Sequence, residues 1–221
     1  MEIGASLLTL PWAVPAWLAC LACALYAGWR APWRWLGRGG AALRLATAVA
    51  AVVALWQIRA APGGEPAFHL LGATLLTLAF GWALALLALL TALAVLTAST
   101  TGAWMVWGMN GLVLVVLPVA VSYGWARLGE AWLPRHFFVY VFSAGFLGGA
   151  LAVVSNALAA GLVLYGAGEM SRQALTSNYL PTALLLLFPE AFVTGGAVTL
   201  AAVYRPAWLA SFSDARYVDG H

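Results

Sequence analysis

Long apolar runs separated by short polar breaks organise the whole chain. They extend over about Pro11 to Trp29, Ala41 to Ile58, Phe68 to Ser99, Trp104 to Trp125, His136 to Tyr165 and Pro181 to Tyr204. Each approaches or exceeds the roughly 20 residues needed to cross about 30 Å of hydrocarbon at 1.5 Å per residue. The pattern predicts an all-α, polytopic transmembrane helical bundle forming a single transmembrane domain over residues 1–221.

The third run is ambiguous. It is either one long tilted helix or two short ones broken at Gly81-Trp82, and the choice decides the side on which everything downstream lies. Arginine counting discriminates between them. With one helix, alternate loops place Arg30, Arg34, Arg38, Arg44 and Arg172 on one side and Arg59, Arg127, Arg135, Arg205 and Arg216 on the other. That even split violates the positive-inside rule. With two helices, only Arg59 and Arg172 lie opposite the rest. The expectation is therefore seven helices, with the N-terminus outside and the C-terminus cytoplasmic. Each half of the broken run, at about 15 residues or roughly 22 Å, falls short of the hydrocarbon core and needs shielding by protein. The Phe68 end of that pair is thus a natural place for a site, since irregular backbone at depth is tolerated only when buried in protein or lining a cavity.

Composition sharpens this picture. Of 221 residues, 64% are apolar and 8% charged, against about 25% charged in a soluble domain. The formal charge of +3 comes from arginine alone. Those arginines sit in short loops and set topology, which argues against nucleic acid as a partner. Met1 to Leu10 has no basic n-region, so the first helix is expected to be retained. Trp29, Trp33, Trp35, Trp56, Trp125, Trp132 and Trp208 fall at predicted helix ends, as interfacial anchors do. Small residues recur at helical spacing at Cys20, Ala24 and Gly28, at Gly145 and Gly149, and at Ala157 and Gly161. They serve close packing within the chain or against a second membrane subunit.

Few polar residues interrupt the apolar runs: His69, Asn110, His136, Asn156 and Glu190. An ionisable group at membrane depth needs a partner, because burying it costs several kcal/mol otherwise. Glu190 follows Pro189 and must find a proton, a cation or a hydrogen-bond donor. Its two readings are a carboxyl that locks helices together and a pathway residue. His69 opens the short third helix on the outer side, where its imidazole is either a metal ligand or a loop cap. His136 reads as an interfacial histidine. No hydrolytic motif and no phosphate-binding GxxxxGK loop occurs, so the chain is not expected to be an enzyme, and ATP-driven activity would require other chains. No organic cofactor is indicated.

The segment F-H-L-L-G-A-T-L-L-T-L-A-F-G-W, Phe68 to Trp82, resembles the H-L-L-G-G…G-P-W stretch of cobalt/nickel energy-coupling-factor permeases of the CbiM/NikM type. Three further blocks agree in order: the Asn-containing helix from Trp107 to Gly124, the start of the sixth helix at P-R-H-F-F-V-Y-V-F, and F-P-E-A-F-V-T-G-G around Glu190. The ending R-P-x-W-x-x-x-F-x-D-A-R-Y is similar to a divergent proteobacterial branch. The resemblance implies a seven-helix subunit that captures a divalent transition metal, nickel or cobalt, as bound substrate near its outer face. Its implied partners are a transmembrane coupling subunit and cytoplasmic ATPases. It also implies a planar nitrogen set formed by the terminal amine, the second residue and the loop histidine, a geometry suited to Ni(II) or Cu(II). Met1, Glu2 and His69 occupy the corresponding positions, with Asn110 and Glu190 as supporting or pathway residues. The family opens M-H-I-P-D-G, whereas this chain opens M-E-I-G-A-S. A carboxylate thus stands where the family has an imidazole, which makes the site harder and less planar. The alternatives are an accessory or scaffold subunit of a larger membrane complex that has lost metal binding, and a membrane-embedded enzyme.

Overall fold

The computed structural model describes residues 3–4, 10–60, 66–99 and 103–217. It is helical throughout, and among these residues the only strand-like pairing is the isolated bridge between Ala60 and Phe68. The elements are α1 (Leu10–Arg30), α2 (Trp33–Leu36), α3 (Ala41–Gln57), α4 (Ala73–Phe80), α5 (Trp82–Ser99), α6 (Trp104–Trp132), α7 (Phe137–Gly166), α8 (Arg172–Tyr204) and the terminal turn α9 (Asp214–Tyr217). Five of them, α1, α5, α6, α7 and α8, are long and apolar enough to cross a membrane, and α3 is a shorter apolar helix.

The expected break lies at Gly81. Its φ of 78° and ψ of 160° belong to a region open almost only to glycine. The two halves are unequal, however, because α4 has 8 residues and α5 has 18. Residues 66–72 approach α4 in a non-helical path, since Gly72, at φ 68°, starts the helix from the left-handed region. At 1.5 Å per residue α4 is only about 12 Å long. It is shielded accordingly, packing against α5, α6, α7 and α8 with Ala73, Thr74, Leu76, Thr77 and Leu78 buried.

The long helices are not uniform. Segments Gly111–Val116 in α6, Val141–Leu147 in α7 and Leu175–Tyr179 in α8 are π-helical. A π turn disturbs the regular i to i−4 ladder, and side chains reach into two of these segments. Asn156 Nδ2 donates to Val113 O at 3.0 Å, and Trp125 Nε1 donates to Ser143 O at 2.9 Å. The polar residue Asn156 is thereby accounted for within α6–α7 packing. α8 begins at Arg172, earlier than the apolar run at Pro181 indicates, and it breaks at Leu186. Pro189 therefore sits in the first turn of the segment Leu187–Tyr204, where its missing N–H has no intrahelical role.

Close approaches depend on glycine. A Cβ on Gly108 would lie 2.6 Å from the Trp17 backbone, so α1 and α6 touch main chain to main chain. Gly145 and Gly149 pack on Gly195 and Thr194 of α8, and Gly161 packs on Leu175 and Tyr179. These small-residue rows are used inside the chain, whereas Gly28 of α1 faces open space.

Candidate functional site

The chain around His69 is held from three sides. Ala60 and Phe68 exchange both backbone hydrogen bonds, at 2.9 and 2.7 Å, closing the loop after α3. Trp56 Nε1, near the end of α3, donates to Leu71 O at 3.2 Å. From the other side, Glu190 accepts the Leu71 N–H on Oε2 at 2.7 Å and the Gly72 N–H on Oε1 at 2.9 Å, with Thr194 Oγ1 3.4 Å from Oε1. The carboxyl thus satisfies backbone donors at the start of α4, where the helix dipole also favours negative charge. Thr194 stands four residues after Glu190 on the same helix face.

His69 itself is buried, 2% exposed, with its ring 5.1 Å from that of Trp56. Nδ1 lies 2.9 Å from Leu70 O. A carbonyl only accepts, so Nδ1 carries the hydrogen, and in the neutral ring Nε2 keeps its lone pair. Nε2 is buried and has no hydrogen-bond partner among the described residues. A buried, unpaired imidazole nitrogen is uncommon, since polar atoms removed from water are normally satisfied. It presents a basic donor atom to whatever occupies the space before it.

Asn110 works in a similar way on another segment. Its Oδ1 accepts from Ile3 N at 2.8 Å and its Nδ2 donates to Ile3 O at 2.9 Å, a two-bond clamp on the backbone of a buried residue. Ile3 belongs to the continuous apolar core that also includes Trp56, Phe68 and Leu71. Met1 and Glu2 lie outside the described residues.

Of the residues singled out from the sequence, then, His69 and Glu190 meet through residues 69–72, and Asn110 holds Ile3. His136 is exposed and caps α7, its Nδ1 accepting from Phe138 N at 3.3 Å. Cys20 and Cys23 are free thiols, and Cys20 packs against Gly111. No group of three or more His, Cys, Asp or Glu side chains converges among the described residues. The Trp56 expectation is corrected: the residue is fully buried and braces the His69 segment instead of anchoring an interface. Its position at the end of an apolar run matched an anchor, but in the structure it lies in the main core and meets the returning segment at His69 and Leu71. Thr194 was not singled out from the sequence; its four-residue spacing from Glu190 is the signal that would have found it.

A helical, multi-pass bundle whose backbone is interrupted inside the packed protein, with a buried carboxyl and an imidazole gathered at the interruption, has the build of a membrane transport protein. The chain belongs to the CbiM family, the cobalt uptake substrate-specific transmembrane region, whose model matches residues 2–208. Among curated proteins none matches the sequence. The fold is similar to the crystal structure of a truncated transition metal transporter, with a TM-score of 0.72 and 21% identity over 92% of this chain and 99% of that one.

Proposed function

We propose that this chain is the membrane subunit that captures a divalent transition-metal cation, nickel or cobalt, for uptake, with ATP hydrolysis supplied by other chains. The observation that carries this reading is the Nε2 atom of His69, buried, without a hydrogen-bond partner among the described residues, and fixed in place through Glu190 and Trp56. His69 is the ligand from the loop, and Met1 and Glu2 complete the set through the terminal amine and a carboxylate. Asn110, by clamping Ile3, delivers that N-terminal segment, and Glu190 positions His69 through the backbone of residues 71 and 72. Three donors of N, N and O type make a site less selective for square-planar Ni(II) than an all-nitrogen one.

The topology belonging to this reading has seven crossings in the bacterial inner membrane, with residues 66–80 as the third, the N-terminus outside and the C-terminus in the cytoplasm. Contacts at the bundle ends support it. Trp35 meets Phe80 and Arg216 pairs with Glu130 at one end, whereas Gly166 approaches Trp12 at the other. A transmembrane coupling subunit and cytoplasmic ATPases are the partners expected to power uptake.

The test is a titration of Ni(II) and Co(II) into four purified proteins: the parent with a free Met1, the parent carrying a short N-terminal tag, Glu2→His, and Glu2→His with His69→Ala. An amide nitrogen has no basic lone pair, so tagging is expected to abolish binding. Glu2→His is expected to strengthen Ni(II) binding, and His69→Ala to erase that gain. If the tag changes nothing and Glu2→His binds no better than the parent, the terminus and His69 do not converge on a metal. The accessory-subunit reading, in which the clamps at Asn110 and Glu190 are purely structural, then replaces this one.

A further inference from the structure

The other end of α4 is closed by the C-terminal tail. An α-helix leaves its last carbonyls without intrahelical donors, and Gly81 removes the residues that would otherwise continue the ladder. The Gly81 N–H satisfies Thr77 O at 2.9 Å. The next two carbonyls are satisfied by the tail: Ser211 N donates to Leu78 O at 3.2 Å and Ala210 N donates to Ala79 O at 3.1 Å. Ser211 Oγ also donates to Leu78 O at 3.0 Å, which makes the Tyr140 hydroxyl, 2.7 Å away, the donor to Ser211.

This docking is separate from the main core. Leu209, Phe212 and Tyr217 are buried in a second cluster with Leu78, Tyr140 and Val198, and Arg216 pairs with Glu130 at 3.4 Å. That ion pair is half-exposed on the arginine side. The docking contacts lie beyond the residues matched by the family model, which ends at 208.

α4 is therefore a two-turn rod pinned at both ends: Glu190 holds the Leu71 and Gly72 amides at its start, and the tail holds the Leu78 and Ala79 carbonyls at its finish. We propose that residues 205–217 act as a latch that sets the position of α4 and, through it, of His69, so that undocking the tail at one end of the bundle loosens metal retention at the other. The regulatory half of this proposal rests on the metal reading of His69; the mechanical half does not. A latched tail holds the ligand loop in its capturing arrangement. A partner that competes for the tail's docking surface releases it.

Two full-length variants with a free N-terminus test this. Ser211→Pro deletes one backbone donor and the hydroxyl. Arg216→Glu turns the surface ion pair into a repulsion without touching the core. Hydrogen exchange is read without metal, followed by Ni(II) titration. Both variants are expected to speed exchange not only in 205–217 but at Leu71 and Gly72, and to weaken Ni(II) binding by about five-fold or more. Faster exchange confined to 205–217 overturns the latch and leaves the metal reading standing. Exchange that spreads to Leu71 and Gly72 with unchanged Ni(II) affinity overturns its regulatory role. If the parent binds no Ni(II) yet the amides respond, the coupling is upheld and the metal reading falls.

Discussion

Glu190 is 1% exposed, and among the described residues every hydrogen bond its carboxyl makes is to the start of α4 or to its own helix. Replacing one oxygen by an amide turns an acceptor into a donor facing an N–H, so Glu190→Gln leaves Leu71 or Gly72 unsatisfied. The expected loss is about 1–3 kcal/mol, read as a lower melting temperature in detergent with the helical spectrum retained. Metal binding should weaken along with it, because His69 is two residues from the lost contact. A Glu190→Gln protein that melts and binds like the parent would remove Glu190 from the positioning role. Asn110 behaves differently under the same logic: its clamp acts on the Ile3 backbone, so Asn110→Ala should loosen the N-terminal segment and leave α4 alone.

At the scale of elements, Gly81 decides that the third apolar run becomes two helices. Its φ and ψ are closed to an L side chain, although a Cβ there would meet no atom within 4 Å. The strain of Gly81→Ala is thus conformational and not steric, and about 1–3 kcal/mol of stability should be lost. Gly124 provides the control. It has ordinary helical geometry and equally open space, so Gly124→Ala should leave stability unchanged or raise it by up to about 1 kcal/mol. Comparing the two melting curves checks the prediction, and equal curves would mean that α4 and α5 tolerate a continuous helix. The break was legible as one of two readings of the third run, and the distribution of arginines favoured it. The inequality of its halves was not, because the N–H groups of Leu71 and Gly72, outside the helix, find their acceptor in Glu190, more than 100 positions away.

For the molecule as a whole, the proposed seven-crossing topology counts α4 as a crossing and so sets the parity of every later helix. The arginine-rich end then comprises Arg34 in α2, Arg127, Arg135 and Arg216, with Glu130 bound to Arg127 at 2.7 Å and to Arg216. A cysteine at Gly129, in a background lacking Cys20 and Cys23, should be labelled by a membrane-impermeant reagent only from the cytoplasmic side. Labelling from the periplasm alone would return the third run to a single long helix and reverse the orientation of all that follows.

The features that the sequence determined by itself are those carried by neighbouring residues. The length of each apolar run sets the helical membrane class, and glycine at position 81 marks the break. Tertiary structure decided what the buried polar groups meet. Asn110 pairs with a residue 107 positions away and Glu190 with one 119 positions away. Trp56 is buried by a returning segment, and the orphan carbonyls of α4 are satisfied by a tail that follows the last long helix. Hydropathy and periodicity are properties of a short window of chain, whereas a buried donor or acceptor takes its partner from whatever packing brings within about 3 Å, and that selection is made only when the helices come together.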